Sequence, residues 1–164
     1  MDRLVGAFVF PEAWQAWTQA EAARALGTLV RLGVNTICTE SETYRDDLIA
    51  LAHRLGLRWF GGIACFSDHA HGHQVLRERP ELWPIDETGA RRPPMEWYIG
   101  VTPSFDDHNA SRLDVAERLV GEHALDGFLL DFIRWPVHWA LELRPGAPPP
   151  LQSSFDPHPL ARFQ

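Results

Sequence analysis

The segment Asp126-Gly127-Phe128-Leu129-Leu130-Asp131-Phe132-Ile133-Arg134-Trp135-Pro136 sets an acid and a guanidinium at the end of a short apolar run. Asp-Gly is a turn signal, and Pro136 cannot donate to a sheet ladder, so a strand is bounded at both ends with Asp131 near its carboxyl end. At about 3.3 Å per residue, Asp126 and Asp131 lie roughly 16 Å apart on opposite rims and cannot share one reaction centre. Asp131 is the acid on the catalytic side, suited to serve as a general acid, a general base or a nucleophile. Alternation sends Phe128, Leu130 and Phe132 to one face and Leu129, Asp131 and Ile133 to the other, which predicts a parallel strand buried on both faces. Arg134 would hold the ionisation and position of Asp131. The alternative is a structural ion pair that ties the strand to the next loop.

A second carboxylate could come from Glu40 or Glu42, which follow another apolar run and lie on the same rim. A gap of about 5 Å between carboxyl groups lets one attack a substrate directly and about 6.5–9.5 Å leaves room for a water between them; anything wider leaves them as solvated loop acids. In Asp68-His69-Ala70-His71-Gly72-His73 three imidazoles alternate beside a carboxylate, a pattern that zinc could use. Spacing fixes no fourth ligand, so the preferred reading is a polar, substrate-facing loop with no metal and no cofactor. His138 and Trp139 follow Pro136 on the rim of Asp131, where His138 could touch a substrate. Asp106, Asp107 and His108 precede a helix, and acids there favour its amino end.

These residues are positioned by an alternating pattern. Strands are expected over Leu4–Phe10, Val34–Thr39, Leu57–Phe66 and from Gly127, and helices over about Glu21–Leu32, Tyr44–Leu55 and from Asn109 or Ser111 to His123, with Gly33 and Gly56 as stops. A long loop rich in proline and aromatic residues runs from Ser67 to about His108, and loops of that length are usually functional. The order βαβαβαβ fits an open doubly wound sheet or half of a barrel. Strand one leads into Pro11-Glu12-Ala13-Trp14, without a glycine-rich nucleotide loop, which favours the barrel. The predicted fold class is therefore α/β, a partial TIM (β/α) barrel of about four βα units with parallel strands. It would occupy residues 1–144 as the amino-terminal half of the barrel. A Pro-rich tail, 145–164, would lead into a missing or partner segment. A full barrel needs at least about 200 residues, so the chain is expected to be the front of a longer one, or else to form a homodimer that covers the open edges of strands one and four.

The chain has 164 residues, 45% hydrophobic, with a formal net charge of -7. That size supports a real core, and the acidic balance argues against nucleic acid as partner. No apolar run approaches the roughly 20 residues that span a bilayer, which argues against a membrane. Cys38 and Cys65 both fall in apolar strand-like runs and read as reduced core thiols, which suits the cytoplasm. Of the seven tryptophans, Trp83, Trp97, Trp135 and Trp139 fall in or beside loops, where they could stack on sugar rings or cap the core.

The segment Asp126–Pro136 resembles the strand of the glycoside-hydrolase-like TIM barrels, a bacterial group distantly similar to the alpha-amylase superfamily. Pro80-Glu81-Leu82-Trp83-Pro84-Ile85-Asp86-Glu87-Thr88-Gly89 and Val101-Thr102-Pro103-Ser104 are similar to it as well. The resemblance implies a hydrolase that cleaves an oligo- or polysaccharide with two carboxyl groups. Asp131 would be one of them, and a later strand, absent from this chain, would supply the other. With the residue reading, this gives Asp131 and Glu40 as catalytic candidates and Arg134, Trp135, Trp97, Asp68 and His138 as substrate-binding ones. A non-catalytic carbohydrate-binding or oligomerising module and a metal-dependent sugar isomerase or hydrolase are the alternatives.

Overall fold

The computed structural model of the chain describes residues 3–69, 73–134, 136, 138–153 and 155–162. Two compact units divide it, Met1–Ile63 with Leu113–Asp131, and Ala64–Arg112 with Phe132–Gln164.

The first unit runs β1 (Gly6–Phe8), α1 (Pro11–Trp14), α2 (Gln19–Arg31), β2 (Thr36–Cys38), α3 (Asp46–Arg54) and β3 (Arg58–Ala64). After α4 (Gln74–Glu78) in the second unit come α5 (Asp106–Glu122) and β4 (Gly127–Asp131). The four strands form a parallel sheet in the order β1-β2-β3-β4, with Phe8 beside Cys38 and Cys38 beside Phe60. The expected α/β fold with parallel strands is present, consistent with a partial βα barrel. α2 starts two residues ahead of the expected Glu21 because Thr18 caps it: the Thr18 hydroxyl accepts the Glu21 N–H, and the Glu21 carboxylate accepts the Thr18 N–H at 2.8 Å. That bond holds the Glu21 carboxyl below its ordinary pKa. Gly33 and Gly56, at φ 84° and 78°, turn the chain out of α2 and α3 as expected.

The core of this unit lies on one side of the sheet. Trp14, Ala22, Leu26, Leu48 and Ile49 from the helices meet Ile37 and Trp59 from the strands, all at 0–1% exposure. Each large apolar side chain buried this way contributes roughly 1.5–3 kcal/mol. The opposite side is different. Phe8 is 44% exposed and Leu129 39%. The expectation that the last strand is buried on both faces is overturned, because Leu130, on the helix side, is also 39% exposed. The reason is position: β4 has a neighbour on one edge only, so β3 shields it from one side and the other stays open.

In the second unit the long segment after β3 carries its own order. A 3-10 turn at Pro80–Leu82 follows α4, and bridges Ser67↔Gly100, Ile85↔Arg91 and Met95↔Tyr98 run antiparallel. Leu76, Leu82, Ile99 and Val101 form its small core. After α6 (Trp139–Glu142), the Pro-rich tail packs back within this unit: Ser153 bridges Asp86, the Glu87 N–H donates to the Gln152 carbonyl and the Phe155 N–H to the Ile85 carbonyl, and α7 (Pro157–Arg162) follows. No described helix is long and apolar enough to cross a membrane.

A Cβ on Gly62 would sit 2.9 Å from the Leu129 carbonyl oxygen and 3.1 Å from the Leu129 Cβ. Gly62→Ala should therefore force β3 from β4 and lower stability by about 1–3 kcal/mol in urea unfolding. Gly27→Ala, where the nearest atom is the flexible Arg31 guanidinium at 3.6 Å, should raise it by about 0.5–1 kcal/mol as a helix-interior glycine is replaced.

Candidate functional site

Within the first unit Glu40 and Asp131 come to the same face of the sheet. Trp14 Nε1 donates to Thr39 Oγ1 at 2.6 Å, and Ile37 is buried among the helices, so Ile37 and Thr39 point to the covered side. Thr36, Cys38 and Glu40 then point to the open side. The ladder continues past the end of β2, with the Thr39 N–H donating to the Phe60 carbonyl and the Ser41 N–H to the Gly62 carbonyl, which holds Glu40 extended beside Gly62. A Cβ on Gly127 would meet the Phe60 ring at 2.8 Å, and one on Gly62 would meet Leu129. Gly127, Leu129 and Asp131 therefore share the open face. Glu40 stands level with Gly62 and Leu129, so Asp131 lies two strand spacings across and two residues further along the sheet, a main-chain separation of about 12 Å. Both side chains are half-buried. Asp126 lies at the other end of β4, where its Oδ2 accepts the Trp59 N–H at 2.7 Å and lies 2.8 Å from His53 Nε2. The two acids thus occupy opposite rims, as their spacing predicts.

Tyr44, which sequence reasoning used only as a helix start, braces this end of the sheet. Its hydroxyl donates to the Gly62 carbonyl at 3.2 Å and accepts the Gly62 N–H at 2.8 Å. Burial pushes the phenol up to about 12, with the Glu40 charge adding to the rise, so it stays protonated.

The second unit gathers Trp97, Arg134 and His138. Trp97 is 52% exposed, and its ring lies 5.4 Å from that of His138, 5.3 Å from His69 and 6.2 Å from Phe132. Phe132 stacks on Tyr98 at 5.7 Å and 21°, and the Arg134 guanidinium lies 4.5 Å over the Phe132 ring. Phe132 reaches this stack at φ 54°, a left-handed conformation costly for a bulky side chain. Nothing in its sequence context signals that turn. The His138 N–H donates to Glu142 Oε2 at 2.6 Å, while Glu142 Oε1 pairs with the Arg92 guanidinium, which also donates to the Leu151 carbonyl. The side chains of Arg92 and Glu142 are only 6% and 13% exposed. Sequence reasoning passed over both, since neither stands in a motif.

Asp68 is buried, with Oδ2 accepting the Leu76 N–H at the start of α4. Glu42 lies half-buried in the loop after β2. Trp135 and His71 fall outside the described residues. Among the described residues no three His, Cys, Asp or Glu side chains are grouped to hold a metal. Asp106, Asp107 and His108 form the first turn of α5 rather than preceding it. His108 Nε2 lies 3.2 Å from the Cys65 carbonyl oxygen, and burial holds the imidazole below its usual pKa.

No protein-family model matches the chain, and no curated protein matches it. Solved structures do. A hypothetical protein from Ruminiclostridium thermocellum is similar at TM-score 0.62 and 14% identity over 79% of this chain and 77% of its own. The noncanonic maltogenic alpha-amylase AmyB from Thermotoga neapolitana is similar at 0.54 and 16% identity, over 85% of this chain. The alpha-galactosidase from Lactobacillus brevis is similar at 0.56 and 10%, over 78%. The chain spans 41% of the amylase and 20% of the galactosidase. At such identities the likeness shows a shared fold, distantly that of glycosidases.

Two outcomes follow from this geometry. Arg92→Met should strand a buried Glu142 carboxylate and cost roughly 3–5 kcal/mol in urea unfolding. It should also speed hydrogen exchange at the His138 amide. Asp156, 3% exposed, has its carboxyl raised above its ordinary 3.8 by burial. A raised carboxyl favours the folded state below 3.8 and loses that contribution as pH rises through the folded value. Asp156→Asn should thus melt higher than the parent at pH 7, and the difference should vanish near pH 3 in thermal scans.

Proposed function

We propose that the protein is a carbohydrate-active hydrolase, with Asp131 and Glu40 as its paired carboxyl groups and an oligo- or polysaccharide as substrate. The single observation that carries this reading is the placement of both acids on the open face of one parallel sheet, at the carboxyl ends of their strands. In βα barrels catalytic groups come from that rim. The work divides as glycosidic cleavage requires. One carboxyl group donates a proton to the leaving oxygen, while the other attacks the anomeric carbon or activates water. Tyr44 keeps the end of β3 fixed beside Glu40, and its neutral phenol adds no charge there. The fold shared with the maltogenic alpha-amylase and the alpha-galactosidase supports a sugar as substrate.

Glu40→Gln and Asp131→Asn each keep shape and remove the ionisable group. Each should lower hydrolysis of α-glucan and α-galactoside substrates by about 10²–10⁴-fold with little change in unfolding midpoint. Full turnover in both variants would overturn the assignment.

A further inference from the structure

We propose that two copies of this chain close one eight-stranded barrel about a twofold axis, each β4 running parallel beside the partner's β1 and the two open sheet faces packing together inside. The inference concerns assembly and stands apart from the hydrolase reading. β1 and β4 each have a strand on one side only, so the parallel sheet ends in two free edges. Beyond β4 the described chain packs within the second unit and adds no strand to the sheet. Four strands are half of the eight that close a parallel (β/α) barrel.

Edge polarity and apolar area select a second copy as the occupant. Pairing β4 with the partner's β4, or β1 with its β1, about an axis normal to the sheet would run antiparallel, fill one edge and leave the other free. Pairing β4 with β1 keeps every strand parallel, and a twofold axis along the barrel uses that junction twice, so no edge remains. The open face carries the side chains to be covered. The Phe8 and Phe10 rings meet edge-on at 5.3 Å, and with Leu4 and Leu129 they leave apolar surface bare, Phe10 at 68% and Leu4 at 54%. Val5 and Leu130, on the helix side of the two edge strands, are exposed as well. At about 150–200 Å² for each such residue when fully exposed, these side chains leave roughly 500 Å² uncovered per chain, and the main chain of two strand edges brings the total towards the ~800 Å² per partner of a stable interface. In the closed barrel they become the packed interior, while the mouth that carries Glu40 and Asp131 stays open.

Sedimentation equilibrium of the full chain at tens of micromolar tests this, with twice the mass of one chain as the expected result. Phe10→Glu places a charge at an exposed position, so the single chain should keep its circular dichroism while dimerisation weakens by about a hundredfold or more. Hydrogen exchange then reads which edges pair. The amides of both Gly6–Phe8 and Gly127–Asp131 should exchange more slowly in the parent than in the Phe10→Glu monomer. A parent chain that sediments as a monomer, a folded Phe10→Glu variant that dimerises as tightly as the parent, or protection gained at one of the two strands alone overturns the proposal. None of these results depends on turnover, so loss of activity in Glu40→Gln or Asp131→Asn bears on the hydrolase reading and leaves the assembly untouched.

Discussion

One hydrogen bond at the end of the first helix fixes which way the sheet faces. The indole N–H of Trp14 donates to the Thr39 hydroxyl inside the core, with its ring stacked 5.8 Å from Tyr44 and edge-on to Trp59 at 5.7 Å. A buried indole N–H needs a partner, and Thr39 is the one it has. Because alternation is strict, holding Thr39 inward turns Glu40 outward. The parallel ladder then carries the same parity across Gly62 to Leu129 and Asp131. A slip of one residue in β2 would expose Ile37 and send Glu40 into the apolar core, a loss of burial combined with an unpaired buried charge.

The open face has a consequence for chemistry. Carboxyl groups at the mouth of a sheet keep access to water, while the helix side supplies the rigidity. Tyr44 joins the two, since its ring belongs to the core side and its hydroxyl clamps the Gly62 peptide. The second unit works differently. Its polar anchors are Arg92 and Glu142, a buried ion pair that holds main chain on both sides, and its aromatic rings meet at the strained Phe132. Strain of that kind persists only where the surroundings hold it, here the Tyr98 stack and the overlying Arg134 guanidinium.

Much of the first unit was legible in the sequence. Periodicity and the stops at Gly33 and Gly56 located α2 and α3, and the run Gly127–Asp131 announced β4 with its acid at the carboxyl end. Burial of β4 was not legible, because alternation shows which residues share a face and says nothing of how many neighbours a strand has. The second unit was read as one long loop, since its ordered pieces are short and its core is assembled from Leu76, Leu82, Ile99 and Val101, residues without a common period. The tail matched no motif for a similar reason. Its contacts with residues 85–92 are mostly main-chain, and main-chain pairing leaves little trace in side-chain identity. Glu40, Asp131, Trp97, Arg134 and His138 were singled out by residue type and position. The braces Tyr44, Arg92 and Glu142 were missed, because a brace is defined by what it touches.

The shared face of Glu40 and Asp131 is the claim on which the enzymatic reading stands, and chemical cross-linking reads it directly. Cysteines would replace Glu40 and Asp131 in a chain carrying Cys38→Ser and Cys65→Ser, to be treated with a bis-maleimide spanning about 12 Å, two strand spacings across and two residues along. The account predicts a cross-link within one chain, joining the two peptides in mass spectrometry. Reaction of each thiol with a mono-maleimide, but no such link with the bifunctional reagent, would place the two acids on different faces and contradict it.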